Sequence, residues 1–154
     1  MMRHKGIRTT LFIIETFIGL GALYGGIAIL TGAFSQWLPM GFLQGSPFCD
    51  YSIPGLVLTI VLGGGMLLVA TTIFIRHEWA VLVSMGMGIV LIGWIAVEVA
   101  IIDRNPQAIV PPTVVQQILF PVLGLVMICL ATFLWMTEYR SQSFLNRHVG
   151  HDRV

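Results

Sequence analysis

Two carboxylic acids stand inside long apolar stretches of this chain, Glu15 and Glu98, and any chemistry must be argued from them. An ionisable side chain near the centre of a bilayer costs roughly 2 to 3 kcal/mol or more, so such residues turn toward a protein interior or a watery cavity and find partners there. Glu98 follows Trp94 by four residues, about one helical turn, so the two share a face. Near it in depth lie Gln116, Gln117, Asp103, Arg104 and the segment Ser46-Pro47-Phe48-Cys49-Asp50-Tyr51-Ser52-Ile53-Pro54. This grouping predicts an outward-facing site. In it Glu98, with Asp50, binds a cation, a proton or the polar head of a lipid-like ligand, and Phe48, Tyr51 and Trp94 line the rest. The plainer alternative is that Glu98 accepts hydrogen bonds from loop amides, or from Tyr51, and pins the loop to the helices.

Glu15 belongs to a different level. At about 1.5 Å per residue its depth differs from that of Glu98 by roughly 15 to 20 Å, so the two acids are not partners. Glu15, Gly19, Ala22, Gly26 and Ile29 recur at steps of four and three, which puts the acid on a small-residue face directed at neighbouring helices. Hydroxyls at a similar depth are Thr71, Thr72, Ser84 and Thr132. A carboxyl among hydroxyls in apolar surroundings is expected to be neutral or hydrogen-bonded, either as a proton relay or as a structural clamp.

Other chemistries lack their residues. The histidines, His4, His77, His148 and His151, all fall outside the apolar runs, and no acid or cysteine at suitable spacing completes a zinc site with His148 and His151. Cys49 and Cys129 lie at different depths and form no C-x-x-C pair. No lysine or histidine stands within a run to activate a nucleophile. No catalytic residue, metal or cofactor is therefore assigned, and a non-enzymatic role is expected.

The elements that position these residues follow from composition. The chain has 154 residues, 56% hydrophobic and only 10% charged, too little polar surface to face water as a soluble domain. Runs of about 20 apolar residues suffice to cross a bilayer as a helix, and four qualify: 9–30, 54–75, 79–102 and 114–137. The fold expected is all-α, a single integral membrane domain built as a four-helix bundle, with a polar tail over 138–154. The first run follows Arg3, Lys5 and Arg8 as a signal peptide would, but its length favours a retained helix. Arg76-His77-Glu78 is short enough to force a tight hairpin between the second and third helices.

The first connection, 31–53, is apolar yet broken by Gly and Pro, so it is expected to fold back onto the bundle. The third, 103–113, is expected to be a stiff non-helical link because of its prolines. Gly86, Gly93, Ala96 and Ala100 predict a small-residue packing face on the third helix, and Pro121 a bend in the fourth.

Charge sets the orientation. Seven of the eight Lys and Arg residues lie on one side of the runs, before the first, between the second and third, or after the fourth; Arg104 is the exception. The positive-inside pattern places both termini in the cytoplasm and the long apolar loop outside. The basic residues are spread over three segments, which implies no nucleic-acid partner.

The segments from Ile14-Glu15 to Gly25-Gly26, from Ser46 to Gly55 and from Trp94 to Ile102 resemble those of uncharacterised small bacterial four-helix integral membrane proteins. The plan of four helices with a long outer first loop is similar to the DoxX-like group in architecture. The resemblance implies a bacterial plasma (inner) membrane location and no assigned reaction. Two functions are expected to compete. One is a non-enzymatic membrane protein, either an accessory subunit of a larger membrane complex or a binder of an apolar or lipid-like ligand at the outer end, with membrane lipid as its surroundings. The other is a small proton- or cation-coupled transporter using Glu98 or Glu15. The orientation has a direct check: a membrane-impermeant maleimide applied to intact cells should label Cys49, whereas a cysteine introduced at Ser141 should react only after the membrane is opened.

Overall fold

The computed structural model describes residues 5–36, 38, 40–75, 79–102 and 111–149. Four long helices carry the chain, α1 (Lys5–Leu30), α2 (Ser52–Phe74), α3 (Ala80–Ile102) and α4 (Pro111–Val149), and there is no strand among the described residues. Each contains a stretch long and apolar enough to cross a membrane, which marks a multi-pass membrane protein. Only 22% to 33% of each such stretch is buried inside the protein. Much of the remainder is apolar and exposed, as it must be where lipid surrounds the helices.

The helices form a ring in which α1–α2 and α3–α4 make the most extensive contacts, closed by α2–α3 and α1–α4, so α1 and α3 lie diagonally across the bundle. The core runs between them through Leu11, Ile18, Leu62, Met66, Ile73, Val81, Leu91, Met127 and Leu134, all nearly inaccessible.

Backbone approach, rather than side-chain bulk, joins α1 to α2. A Cβ on Gly26 would overlap the Thr59 hydroxyl and fall 2.8 Å from the Thr59 nitrogen and 2.9 Å from the Gly55 carbonyl; one on Gly63 would meet the Leu23 nitrogen at 3.0 Å. Gly19 faces Leu67 and the Gly63 carbonyl. Gly55, Thr59, Gly63 and Leu67 thus form one stripe at steps of four. In an α-helix each such step overshoots a full turn by about 40°, and the stripe would wind away from α1. Residues Val57–Gly64 instead form a π-helical segment between two α-helical ones, Ser52–Leu56 and Gly65–Phe74. Its wider turn falls behind at steps of four and offsets the drift.

The α3–α4 contact uses a reciprocal pair. A Cβ on Gly88 would lie 3.0 Å from the Gly124 carbonyl, and one on Gly124 would lie 3.1 Å from the Gly88 carbonyl. This replaces the expected face on α3: Gly86, Gly93, Ala96 and Ala100 are all exposed, and the two glycines meet nothing within 4 Å. Steps of seven, three and four define a face without saying which neighbour it meets, and here Gly88, on another face, was selected by the position of α4.

Two boundaries also differ from expectation. Pro111, Pro112 and Thr113 are helical, since proline is accommodated in a first helical turn where its missing N–H has no partner to lose. The expected polar tail continues α4 as far as Val149, and α4 runs through Pro121. Arg76, His77 and Glu78 and the link from Asp103 to Val110 lie outside the described residues, as do His4, Trp37, Pro39, His151 and the four N-terminal residues. Phe74 and Ala80 bracket the α2–α3 connection as the short spacing predicts.

The first loop behaves as its composition predicts. Gly32 ends α1 at φ +73°, in the left-handed region that favours glycine, and a 3-10 turn at Met40–Leu43 returns to pack against α3 with Leu43 buried. The packing makes a paired test. Gly26→Ala should destabilise the protein by about 1 to 3 kcal/mol through overpacking against backbone. Gly21→Ala, where nothing lies within 4 Å, should leave stability unchanged or raise it by about 0.5 to 1 kcal/mol. Thermal unfolding of both variants in the same detergent decides it.

Candidate functional site

The end of the bundle that carries the long first loop is covered by loop residues and not by a further helix. There, a cavity of about 300 Å³ lies between the end of α1, the loop and the start of α2. Its apolar walls are Ile29, Leu30, Phe34, Leu38 and Met40; its polar rim is Ser35, Asp50, Tyr51 and Ser52, with Gly32 at the turn. Local hydrogen bonds hold the rim. After Gly32 the chain folds through bonds from the Ser35 nitrogen to the Gly32 carbonyl (3.0 Å) and from the Leu38 nitrogen to the Phe34 carbonyl (2.8 Å). Asp50 Oδ1 accepts from the Ser52 nitrogen at 2.9 Å, and the Tyr51 carbonyl accepts from the Gly55 nitrogen at 2.9 Å, so the acid and the tyrosine are fixed where α2 begins. Tyr24 of α1 meets Phe34 edge-on, with ring centroids 6.1 Å apart. Half-buried Tyr51 has its phenol pushed up from its ordinary pKa by desolvation, so it remains a neutral donor at any physiological pH.

Of the residues grouped by sequence, Asp50 and Tyr51 line this cavity, whereas Phe48, Trp94 and Glu98 do not. Trp94 and Glu98 are half-buried on α3, at the same end, with Gln116 and Gln117 half-buried on α4. Among the described residues Glu98 makes no hydrogen bond, to Tyr51 or to a loop amide. Phe48 is half-buried in the loop, its nitrogen donating to Ser46 Oγ at 3.2 Å. The contribution of the α1 terminus, Ile29 and Leu30 with Gly32 and Ser35, was not drawn from sequence. The signal available was the glycine at the end of an apolar run followed at once by Phe34 and Leu38, which turns the loop back over the helix that precedes it.

Glu15 occupies the opposite half of the protein. It is fully buried, and one carboxyl oxygen, Oε1, accepts a hydrogen bond from the hydroxyl of Ser84, also fully buried, across the diagonal from α1 to α3. Among the described residues its other oxygen, Oε2, has no partner, nor does the buried hydroxyl of neighbouring Thr16. The other three hydroxyls named from depth bond within their own helices, Thr71 to the Leu67 carbonyl, Thr72 to Val69 and Thr132 to Ile128, and Thr132 also reaches Met85 Sδ on α3 at 3.7 Å. Of the four hydroxyls named from depth alone, the structure brings one to the acid.

Cys49 and Cys129 are both free and exposed. The chain matches no protein-family model, no curated protein and no solved structure.

The Glu15–Ser84 bond yields an energetic test. Ser84→Ala strips the remaining partner from a fully buried carboxyl and should cost about 1 to 3 kcal/mol of stability. Adding Glu15→Met to that variant removes the orphaned group altogether and should recover most of the loss. Denaturation of the two single variants and the double variant forms the cycle.

Proposed function

We propose that this protein is a non-enzymatic, multi-pass membrane protein that binds a small amphiphile in the cavity at the loop end of the bundle. The observation that carries the reading is the cavity itself, with one side built of Ile29, Leu30, Phe34, Leu38 and Met40 and a rim of two serines, a tyrosine and Asp50. Such a lining separates an apolar tail from a polar head, and Asp50, as the acid of the rim, selects a cationic or hydrogen-bond-donating head. Size limits the tail. About 300 Å³ stands at the low end of small-molecule sites, which run from about 300 to 1,000 Å³, so the ligand carries one short chain or ring system; a two-chain lipid does not fit inside.

The charge bias supports a setting for this site: a bacterial plasma membrane with both termini in the cytoplasm, so that the cavity opens outward. A ligand would then arrive from the outer leaflet or the space beyond it. In this reading Trp94 and Glu98 lie toward the same end of the bundle on α3, and the loop over the cavity packs on α3 through its 3-10 turn.

Native mass spectrometry of the intact protein in mild detergent tests the reading, with decyltrimethylammonium and decyl sulfate as probes. A single adduct of the ammonium compound is expected, weakened at least about tenfold by Leu38→Trp, which fills the cavity, and weakened relative to sulfate by Asp50→Asn. Equal binding of the two probes would remove Asp50 from the site. No adduct, with the protein recovered instead in a larger assembly, would make it an accessory subunit.

A further inference from the structure

The loop-end cavity leaves the most unusual polar group of the molecule unused. Glu15 is fully buried, and among the described residues its Oε2 has no partner while Oε1 is held by Ser84. The core around the pair is apolar, with Leu11 and Ile18 one turn to either side on α1, Val81 one turn before Ser84 on α3, and Met127, Ala131 and Leu134 from α4. A carboxylate satisfied at one oxygen in such a medium must be matched by a positive charge or lose its own.

The chain offers little to match it. Residues 52–74 of α2 contain no ionisable side chain. On α3 the one charged residue in the span is Glu98, fourteen positions from Ser84 and about 21 Å along the helix. On α4 residues 115–137 contain only Cys129, which is exposed. On α1, Tyr24 and Lys5 are exposed, and Arg8 lies seven residues, about 10 Å, before Glu15 and half-buried. Beyond the spans at this end the sequence carries Arg76, His77 and Glu78 between α2 and α3, and Glu138, Tyr139 and Arg140 along α4.

We propose that Glu15 and Ser84 form an internal binding site for one exchangeable proton, reached from the end of the bundle where the termini lie. Oε2 is the position that takes it, and Ser84 orients the carboxyl through Oε1. That end is the nearer one: Ser84 follows Ala80, the first residue of α3, by four positions, about 6 Å, with Ala80 and Val81 themselves buried between. The opposite end is far, since the cavity residue Ile29 is fourteen positions from Glu15, about 21 Å. The site therefore stands independently of the amphiphile reading.

Infrared difference spectroscopy of the full chain in lipid nanodiscs at neutral pH tests the assignment. A carboxylic-acid C=O band is expected that is lost in Glu15→Gln and kept in Glu98→Gln. It should rise in frequency in Ser84→Ala, as a hydrogen bond to the carboxyl is removed, and move down within minutes of transfer to D2O. Should Glu15→Gln fail to fold, the displacement in Ser84→Ala identifies the band by itself. Three results would overturn the proposal: no carboxylic band assignable to Glu15, a band that stays unexchanged overnight in D2O, or its loss on adding sodium chloride at constant pH, which would make the ligand a sodium ion.

Discussion

Helices immersed in lipid gain little by hiding apolar surface from one another, so their association rests on how closely two backbones can approach. Among the described residues the closest approach is made at Gly26, and Gly63 likewise brings one of these two helices against the main chain of the other. The π-helical turn of α2 belongs to the same constraint, because it keeps Gly55, Thr59, Gly63 and Leu67 pointed at α1. Once those contacts are made, the face of α1 is fixed, and Glu15, on that face, has no route to lipid or to water through its own helix.

The two ends of the bundle then differ in kind. Toward the termini, packing is tight enough that a carboxyl and a hydroxyl meet with neither exposed. Toward the long loop, α1 stops at Gly32 and the chain leaves the helix, so the space beyond Ile29 and Leu30 is covered by loop residues and not by another helix. Loops with glycine and proline fill volume less completely than helices do, and a cavity remains. Polar chemistry is thus found in two places for two reasons: at one end because backbone amides of a loop need partners, at the other because a side chain is trapped.

Much of the fold was legible because its signals were long. Four apolar runs of membrane length, and the inward position of Glu15 inferred from Gly19, Ala22 and Gly26 at helical steps, follow from periodicity within one segment. Contacts between segments were harder. Gly88 and Gly86 are two residues apart and chemically identical, and only the placement of α4 decides that Gly88 is the one in contact. Ser84 was one of four hydroxyls at the depth of Glu15, and nothing local separates them; what does is that Thr71, Thr72 and Thr132 bond back to carbonyls three or four residues earlier. At the loop end, depth grouped Asp50 and Tyr51 with Glu98; the first two line the cavity, yet the wall opposite them comes from α1, which a reading by depth could not join to them.

The pairing of sequence neighbours, α1 with α2 and α3 with α4, also carries information about time. Each hairpin can close as soon as its second helix enters the bilayer, because the glycine-to-backbone contacts that hold it, at Gly26 and Gly63 in one and Gly88 and Gly124 in the other, lie within its own two helices. Glu15 meets no such early partner: its hydroxyl sits on the third helix, in the other hairpin. A nascent chain therefore carries an unmatched acid in its first hairpin until the third helix arrives, and the bond that joins them forms only once the second hairpin has begun to insert.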